Sequence, residues 1–341
     1  MESINGRRHI WRRFLPRLAV FLFFLLPAFS TGFVPAAESA PVVTIAHDFL
    51  DMEKPFGAAK GHTDRLNALI EKARTRLTVK ENYTSEEALK LLGQIHLLLK
   101  EEGFVFKNNF LLCKGLDSRA IDCDNYCALY TAIAESMKIP MIPVYAPNHS
   151  FMRFYFSDGS YLNWETLMAK HLPNSYYVKK LQIAEVSVSK GVYLKSLQRK
   201  EFHAVEYNNI GAYLMTARRY REAVSYFTKA LELHSVFSGA YHNRGSCLYA
   251  LKRLKEARED LARAVALDPY RAPTYNTLGD VCLDLKESDM ALKCYTASVK
   301  LDPTNYVPYN SIALIMKARG KEELAQKWLK KSQEIKARYG K

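Results

Sequence analysis

The run Asp122-Cys123-Asp124-Asn125-Tyr126-Cys127-Ala128-Leu129-Tyr130-Thr131-Ala132-Ile133-Ala134 decides how the first half of the chain is read. Its apolar residues recur at helical spacing, which makes Cys123 the first-turn residue of a buried helix. A thiol there meets unpaired backbone N–H groups and the positive end of the helix dipole, and both favour the thiolate. The charge of Asp122, one residue earlier, opposes that effect. Lys138 and Pro140 mark the end of the helix.

Outward from it, Met141 to Ala146 reads as a strand, Pro147 and Asn148 as a break, and His149 to Phe156 as a second strand. Ser157-Asp158-Gly159-Ser160 reads as a hairpin turn and Tyr161 to Trp164 as the returning strand. Side chains alternate faces along a strand, so His149 shares a face with Phe151 and Arg153, and Asn163 shares one with Glu165. A two-residue turn at Asp158 and Gly159 sets Asn163 across from Phe154, on the wrong face. A three-residue loop with a left-handed Gly159 pairs Phe156 with Ser160, sets Asn163 across from Arg153 and sets Glu165 across from Phe151. The second register is the expected one, with Asn163 or Glu165 orienting His149 and the imidazole facing Cys123.

These residues resemble the transglutaminase-like superfamily. Its nucleophile helix carries a Cys followed by an acid or amide, an aromatic and a small residue, as in Cys123 to Ala128. Pro147, Asn148 and His149, with Phe151 and Arg153, are similar to its histidine strand. Leu162-Asn163-Trp164 stands where the family has a hydrophobic residue, an Asp and usually Pro; Asn in place of Asp shifts the set towards the Cys, His, Asn of papain-like proteases. The resemblance spans roughly 111–166. It implies an α+β transglutaminase-like (papain-like cysteine) domain and amide chemistry, either hydrolysis or transfer to an amine, with Cys123 as nucleophile, His149 as proton shuttle and Asn163 or Glu165 behind it.

Before the nucleophile helix, Leu66, Leu69, Ile70, Ala73 and Leu77 mark one face of a helix. Thr84 with Glu87 forms a capping-box signature ahead of a second, with Leu91, Leu92, Ile95, Leu98 and Leu99 on its buried face and Gly103 at its end. Both are expected to pack beside the nucleophile helix. Ala40 to Gly61 is an entry segment with a short strand or helix. After the hairpin, Tyr176 to Val178 and Ile183 to Val188 read as short β segments.

A repeat then governs the chain. Gly211, Gly245 and Gly279 stand 34 apart and are followed at the same interval by Ala313. Tyr207, Tyr241, Tyr275 and Tyr309 keep the step, as do Ala223, Ala257, Ala291 and Ala325. This pattern resembles the tetratricopeptide repeat. The resemblance implies an all-α solenoid of about four units, the last acting as a cap, with a concave surface that binds a protein or peptide. Asn208, Asn243, Arg244, Asn276 and Asn310 fall on first helices, which line that surface, and are the candidate partner-binding residues.

The formal charge is +14. Residues 1–40 hold five Arg against Glu2 and Glu38, so about +11 stays with the rest, interspersed with acids on helices and without the basic blocks that nucleic acid requires. The same forty residues run from the Arg cluster through the apolar Leu18 to Phe29 to small residues, the order of an export signal. That order predicts an exported, periplasmic or envelope protein with no membrane span after signal removal, and an anchored one if the signal is not cleaved. Six Cys in an exported chain would ordinarily suggest disulfides, but Cys123 and Cys127 lie one turn apart, and Cys247, Cys282 and Cys294 fall at core positions of repeat helices. No metal or cofactor motif is present; Cys123, Cys127 and His149 lack a fourth zinc ligand.

The sequence therefore divides into a signal at 1–40, a transglutaminase-like domain at 41–195 and tetratricopeptide repeats at 196–341. The expected function is that of an exported cysteine hydrolase or acyltransferase acting on an amide bond, with repeats that bind a partner or substrate. The alternative is a catalytically silent fold serving as an envelope interaction scaffold.

Overall fold

A computed structural model describes residues 42–340; the expected export signal lies outside them. Within Val42–Lys341 the chain forms one compact unit.

The entry segment forms helix α1 (Ile45–Met52) and a 3-10 turn, Lys54–Phe56. Helix α2 (Lys60–Arg76) buries Leu66, Leu69, Ile70 and Ala73, the expected stripe. Helix α3 (Ser85–Glu101) starts on the reciprocal Thr84–Glu87 capping box and ends before a left-handed Gly103. A parallel pair, β1 (Val105–Phe106) and β2 (Ala120–Ile121), encloses the short α4 (Leu112–Ser118). Helix α5 (Cys123–Met137) follows, capped by the Asp122 carboxylate, which accepts from Asn125 N at 3.0 Å. Ten consecutive residues of α5, Asn125 to Ala134, are buried, because helices cover one side and the sheet the other. Helix α2 packs on α5 as expected, whereas α3 lies against the far edge of the sheet.

That sheet is antiparallel and has four strands in sequence order: β3 (Met141–Ala146), β4 (His149–Tyr155), β5 (Tyr161–Glu165) and β6 (Lys170–His171). The β3–β4 turn is Pro147 and Asn148, and Asn148 takes the left-handed conformation (φ 52°) that Asn tolerates. Between β4 and β5 the three-residue loop is present. Phe156 N donates to Ser160 O at 2.9 Å, Gly159 has φ 82°, and Arg153 pairs with Asn163. Met152 and Trp164 point towards α5, where they meet Thr131 and Tyr130. His149, Phe151, Arg153, Asn163 and Glu165 occupy the opposite face.

The two β segments expected after the hairpin are instead helices, α6 (Asn174–Lys180) and α7 (Glu185–Ser189). Aromatic and β-branched content suggested strands, but Pro173 starts a turn of helix in which only Tyr177 points inward. Its ring lies flat on Phe151, centroids 3.9 Å apart, a burial on one side that a single helical turn provides.

The C-terminal half is a helical solenoid of four antiparallel hairpins. They are α8 (Arg199–Thr216) with α9 (Tyr220–Leu233), α10 (Ser238–Ala250) with α11 (Leu254–Leu267), α12 (Ala272–Asp284) with α13 (Ser288–Leu301), and α14 (Val307–Ala318) with α15 (Glu322–Tyr339). A Cβ on Gly211 would stand 2.6 Å from the Phe227 ring, and one on Gly279 2.6 Å from the Tyr295 ring, so the 34-residue glycine step marks where paired helices touch. The hairpin turns repeat too: Arg218, Lys252, Lys286 and Gly320 all have positive φ.

One hydrophobic core runs from Ile45 through the sheet and into the first two hairpins as far as Leu267; a second fills the later hairpins. Phe49 meets Phe202 at 5.1 Å and Tyr145 meets Phe237 at 5.0 Å, so the α+β region and the solenoid share packing. All six cysteines are free thiols. Among the described residues no helix is long and apolar enough to cross a membrane.

Candidate functional site

Cys123 opens α5, half-buried, and His149 opens β4. The His149 Nε2 lies 2.7 Å from Glu165 Oε2, and Glu165 is 2% exposed. Tyr177 Oη donates to the same oxygen at 3.3 Å and Leu167 N to the other at 3.2 Å, so the carboxylate is held on both sides. A hydrogen bond from Nε2–H to a carboxylate leaves Nδ1 as the unprotonated nitrogen, free to accept a proton.

Asn163 does not reach the imidazole. Its Oδ1 accepts from Arg153 Nε at 2.9 Å, and its Nδ2 donates to Leu172 O at 3.1 Å and Asn174 Oδ1 at 2.9 Å. The register explains this: Arg153 sits directly opposite Asn163, while Glu165 lies one same-face step nearer His149.

Cys123 and His149 line one cavity of about 350 Å³. The thiol is not held as thiolate. Burial pushes its pKa well above the ordinary range, and the charges of Asp124 and Asp122 push the same way, against a backbone N–H from Ser150. Desolvation and two carboxylates thus outweigh the helix-dipole effect expected from sequence. Asp122 is itself raised well above the ordinary carboxylate range, by burial and then by Asp124. Asp124 is raised by burial, opposed by hydrogen bonds from Ser150 and Asn209 and by His149.

The other wall of the cavity comes from the solenoid: Asn208 and Asn209 on α8, Gly239 and Asn243 on α10, and Arg271 at the start of α12. Of the five solenoid residues singled out from sequence, Asn208 and Asn243 line it and bond to each other at 2.9 Å. Arg244 is instead clamped by both Asp260 oxygens, at 2.7 and 2.8 Å. Asn276 keeps a buried Oδ1 without a partner, and Asn310 is exposed on the last hairpin.

Sequence reasoning missed Asp124, Asn148, Asn209 and Arg271. Asn209 Nδ2 donates to Asp124 Oδ2 at 3.2 Å, and Arg271 Nη1 donates to Asn148 Oδ1 at 3.0 Å. These pairs are 85 and 123 residues apart, and no local signal marks them. Behind them lies a buried carboxyl pair. Glu53 accepts from Leu112 N at 2.5 Å and Cys113 N at 2.7 Å, while Glu206 on α8 has no such donor, and its pKa is raised well above the ordinary range by burial and then by Glu53.

Tetratricopeptide-repeat models match residues 209–272 and 272–305, so the solenoid is built of tetratricopeptide repeats. Comparison with curated proteins gives no match. Solved structures that resemble the chain include MamA, at 26% identity over 40% of this chain and 79% of that one, TM-score 0.39. MamA from Desulfovibrio magneticus RS-1 aligns at 22% identity over 39% and 76%, TM-score 0.38. The first repeat domain of Spaghetti (RPAP3), solved with an HSP90 peptide, aligns at 26% identity over 34% and 93%, TM-score 0.34. The repeat models support protein–protein interaction as part of the function.

Proposed function

We propose that the protein is an exported, transglutaminase-like cysteine hydrolase or acyltransferase whose repeats bind a protein or peptide. The observation that carries the reading is the His149–Glu165 pair opening into the same cavity as Cys123. Because the resting thiol keeps its proton, His149 acts as general base during attack. The Cys123 sulfur bonds to the amide carbonyl carbon as His149 Nδ1 takes the thiol proton. That proton passes to the departing amine as the C–N bond breaks, leaving a thioester. Water or a second amine, deprotonated by His149, then attacks the thioester and regenerates the thiol. Glu165 holds the ring and its charge stabilises the imidazolium. Export rests on the order of residues in the first forty.

A second reading, a silent fold acting as an interaction scaffold, draws on the acidic surroundings that keep Cys123 protonated. An activated ester separates the two. With p-nitrophenyl acetate, the enzyme gives a stoichiometric p-nitrophenolate burst that Cys123→Ala abolishes, and adding an alkylamine diverts the acyl group to an amide if transfer is the reaction. A wild-type chain with no burst above the Cys123→Ala background is the scaffold.

A further inference from the structure

Each residue of the reacting pair has a neighbour held by the solenoid. Beside Cys123, Asp124 accepts from Asn209 Nδ2 on α8 at 3.2 Å and, through its other oxygen, from Ser150 Oγ, one residue past His149. Beside His149, the exposed, left-handed Asn148 accepts from Arg271 Nη1 at 3.0 Å. Asp124 therefore ties the first turn of α5 to the start of β4 and to the first repeat, while Arg271 fixes the turn that aims the histidine from the third. Neither anchor is loose. Asn209 is buried on a helix whose Phe202 packs on Phe49 of α1, and Arg271 precedes Ala272, which is buried at the start of α12. The guanidinium keeps one buried nitrogen, Nε, without a partner. The same residue lines the cavity into which Cys123 and His149 open.

We propose that Asn209 and Arg271 are positioning residues supplied by the repeats: they set the approach of Cys123 to His149. This rests on the cysteine–histidine chemistry proposed above. Displacement of a reacting group by about 1 Å lowers rates by roughly 100-fold, so two hydrogen bonds at this place govern reactivity without touching substrate.

The test is cross-linking of Cys123 to His149 in the full chain by 1,3-dibromoacetone, read by peptide mass spectrometry alongside single alkylation of Cys123. Wild type gives the cross-link. Arg271→Gln and Asn209→Ala lower the ratio of cross-link to single alkylation by about tenfold or more, with Tm measured alongside to separate lost alignment from a loosened fold. Arg271→Lys, which keeps a donor, recovers part of it. Asn148→Gly, which accepts the left-handed backbone, removes the same bond from the other side and reproduces Arg271→Gln, so the result stands even if a solenoid variant folds poorly. Equal ratios in wild type, Arg271→Gln, Asn148→Gly and Asn209→Ala overturn the proposal. Absence of the cross-link in wild type overturns the chemistry instead, and the positioning role is then read from the His149 ring NMR signals, which move in Arg271→Gln if the proposal is right and stay in place if it is wrong.

Discussion

Glu165, not Asn163, is the partner of His149: the carboxylate oxygen lies 2.7 Å from Nε2, while the Asn163 amide is spent on Arg153, Leu172 and Asn174. Glu165→Gln presents an amide that can turn its N–H₂ towards the ring and reverse the tautomer. The expected loss is about 100-fold or more in burst rate, in line with carboxylates behind catalytic histidines elsewhere. Asn163→Ala strands the buried Arg153 Nε and is expected to cost about 1–3 kcal/mol of stability, while the burst rate of the folded protein falls less than in Glu165→Gln because no bond to the imidazole is lost. Burst kinetics with the two variants check both statements.

The two acids flanking Cys123 raise its pKa, so neutralising either lowers it. In a pH series of alkylation by iodoacetamide, wild-type Cys123 is expected to react with a midpoint above the ordinary thiol value of about 8.5. Asp124→Asn and Asp122→Asn are expected to move that midpoint down and to speed labelling at pH 8. Asn at 122 remains a competent helix cap, so the shift reports charge and not fraying.

Glu206 is a buried carboxyl whose pKa is raised in the folded chain. Between its unfolded value of 4.5 and the raised folded value, the native state binds the extra proton, so this group costs stability increasingly as pH rises through that window. Glu206→Gln removes the cost. Its Tm is expected to exceed that of wild type at pH 8, with the gap closing towards pH 4.5; thermal scans at three pH values would show the convergence.

In Gly245→Leu, the first added carbon meets Leu261 Cγ at 2.8 Å, with Ala257 O and Asp260 Cβ both at 3.3 Å. Overpacking of this kind costs about 1–3 kcal/mol. Calorimetry is expected to show a lowered unfolding transition, and an unchanged one would mean that this glycine does not mark the helix contact.

What was legible in the sequence was whatever local periodicity encodes. The 34-residue step of Gly and Ala fixed the repeat hairpins, and Gly159 fixed the loop that sets the β4–β5 register. That register kept Glu165 in contention with Asn163, and the bond network then selected between them. Helix α6 differs from the expected strand because Tyr176-Tyr177-Val178 has strand-like composition, whereas the stacking of Tyr177 on Phe151 is a contact that sequence does not show. The opposing pulls of the helix N-terminus and Asp122 on the Cys123 thiol are visible in sequence, whereas the desolvation by distant segments that decides between them is not. Asn209 and Arg271 belong to the same category: ordinary residues of a repeat helix and a repeat linker, given their role only by where the solenoid lies.

The core that crosses from the α+β region into the first two hairpins stops at Leu267, and the last two hairpins pack chiefly on each other and on the second pair. The solenoid is thus built like a blade fixed at its hilt. Load applied at the tip, by anything gripping α14 or α15, passes through the second core to Leu248, Ala257 and Leu261, and so across the junction between the second and third hairpins. Arg271 stands at that junction, and the flex of the blade would reach the histidine turn through it.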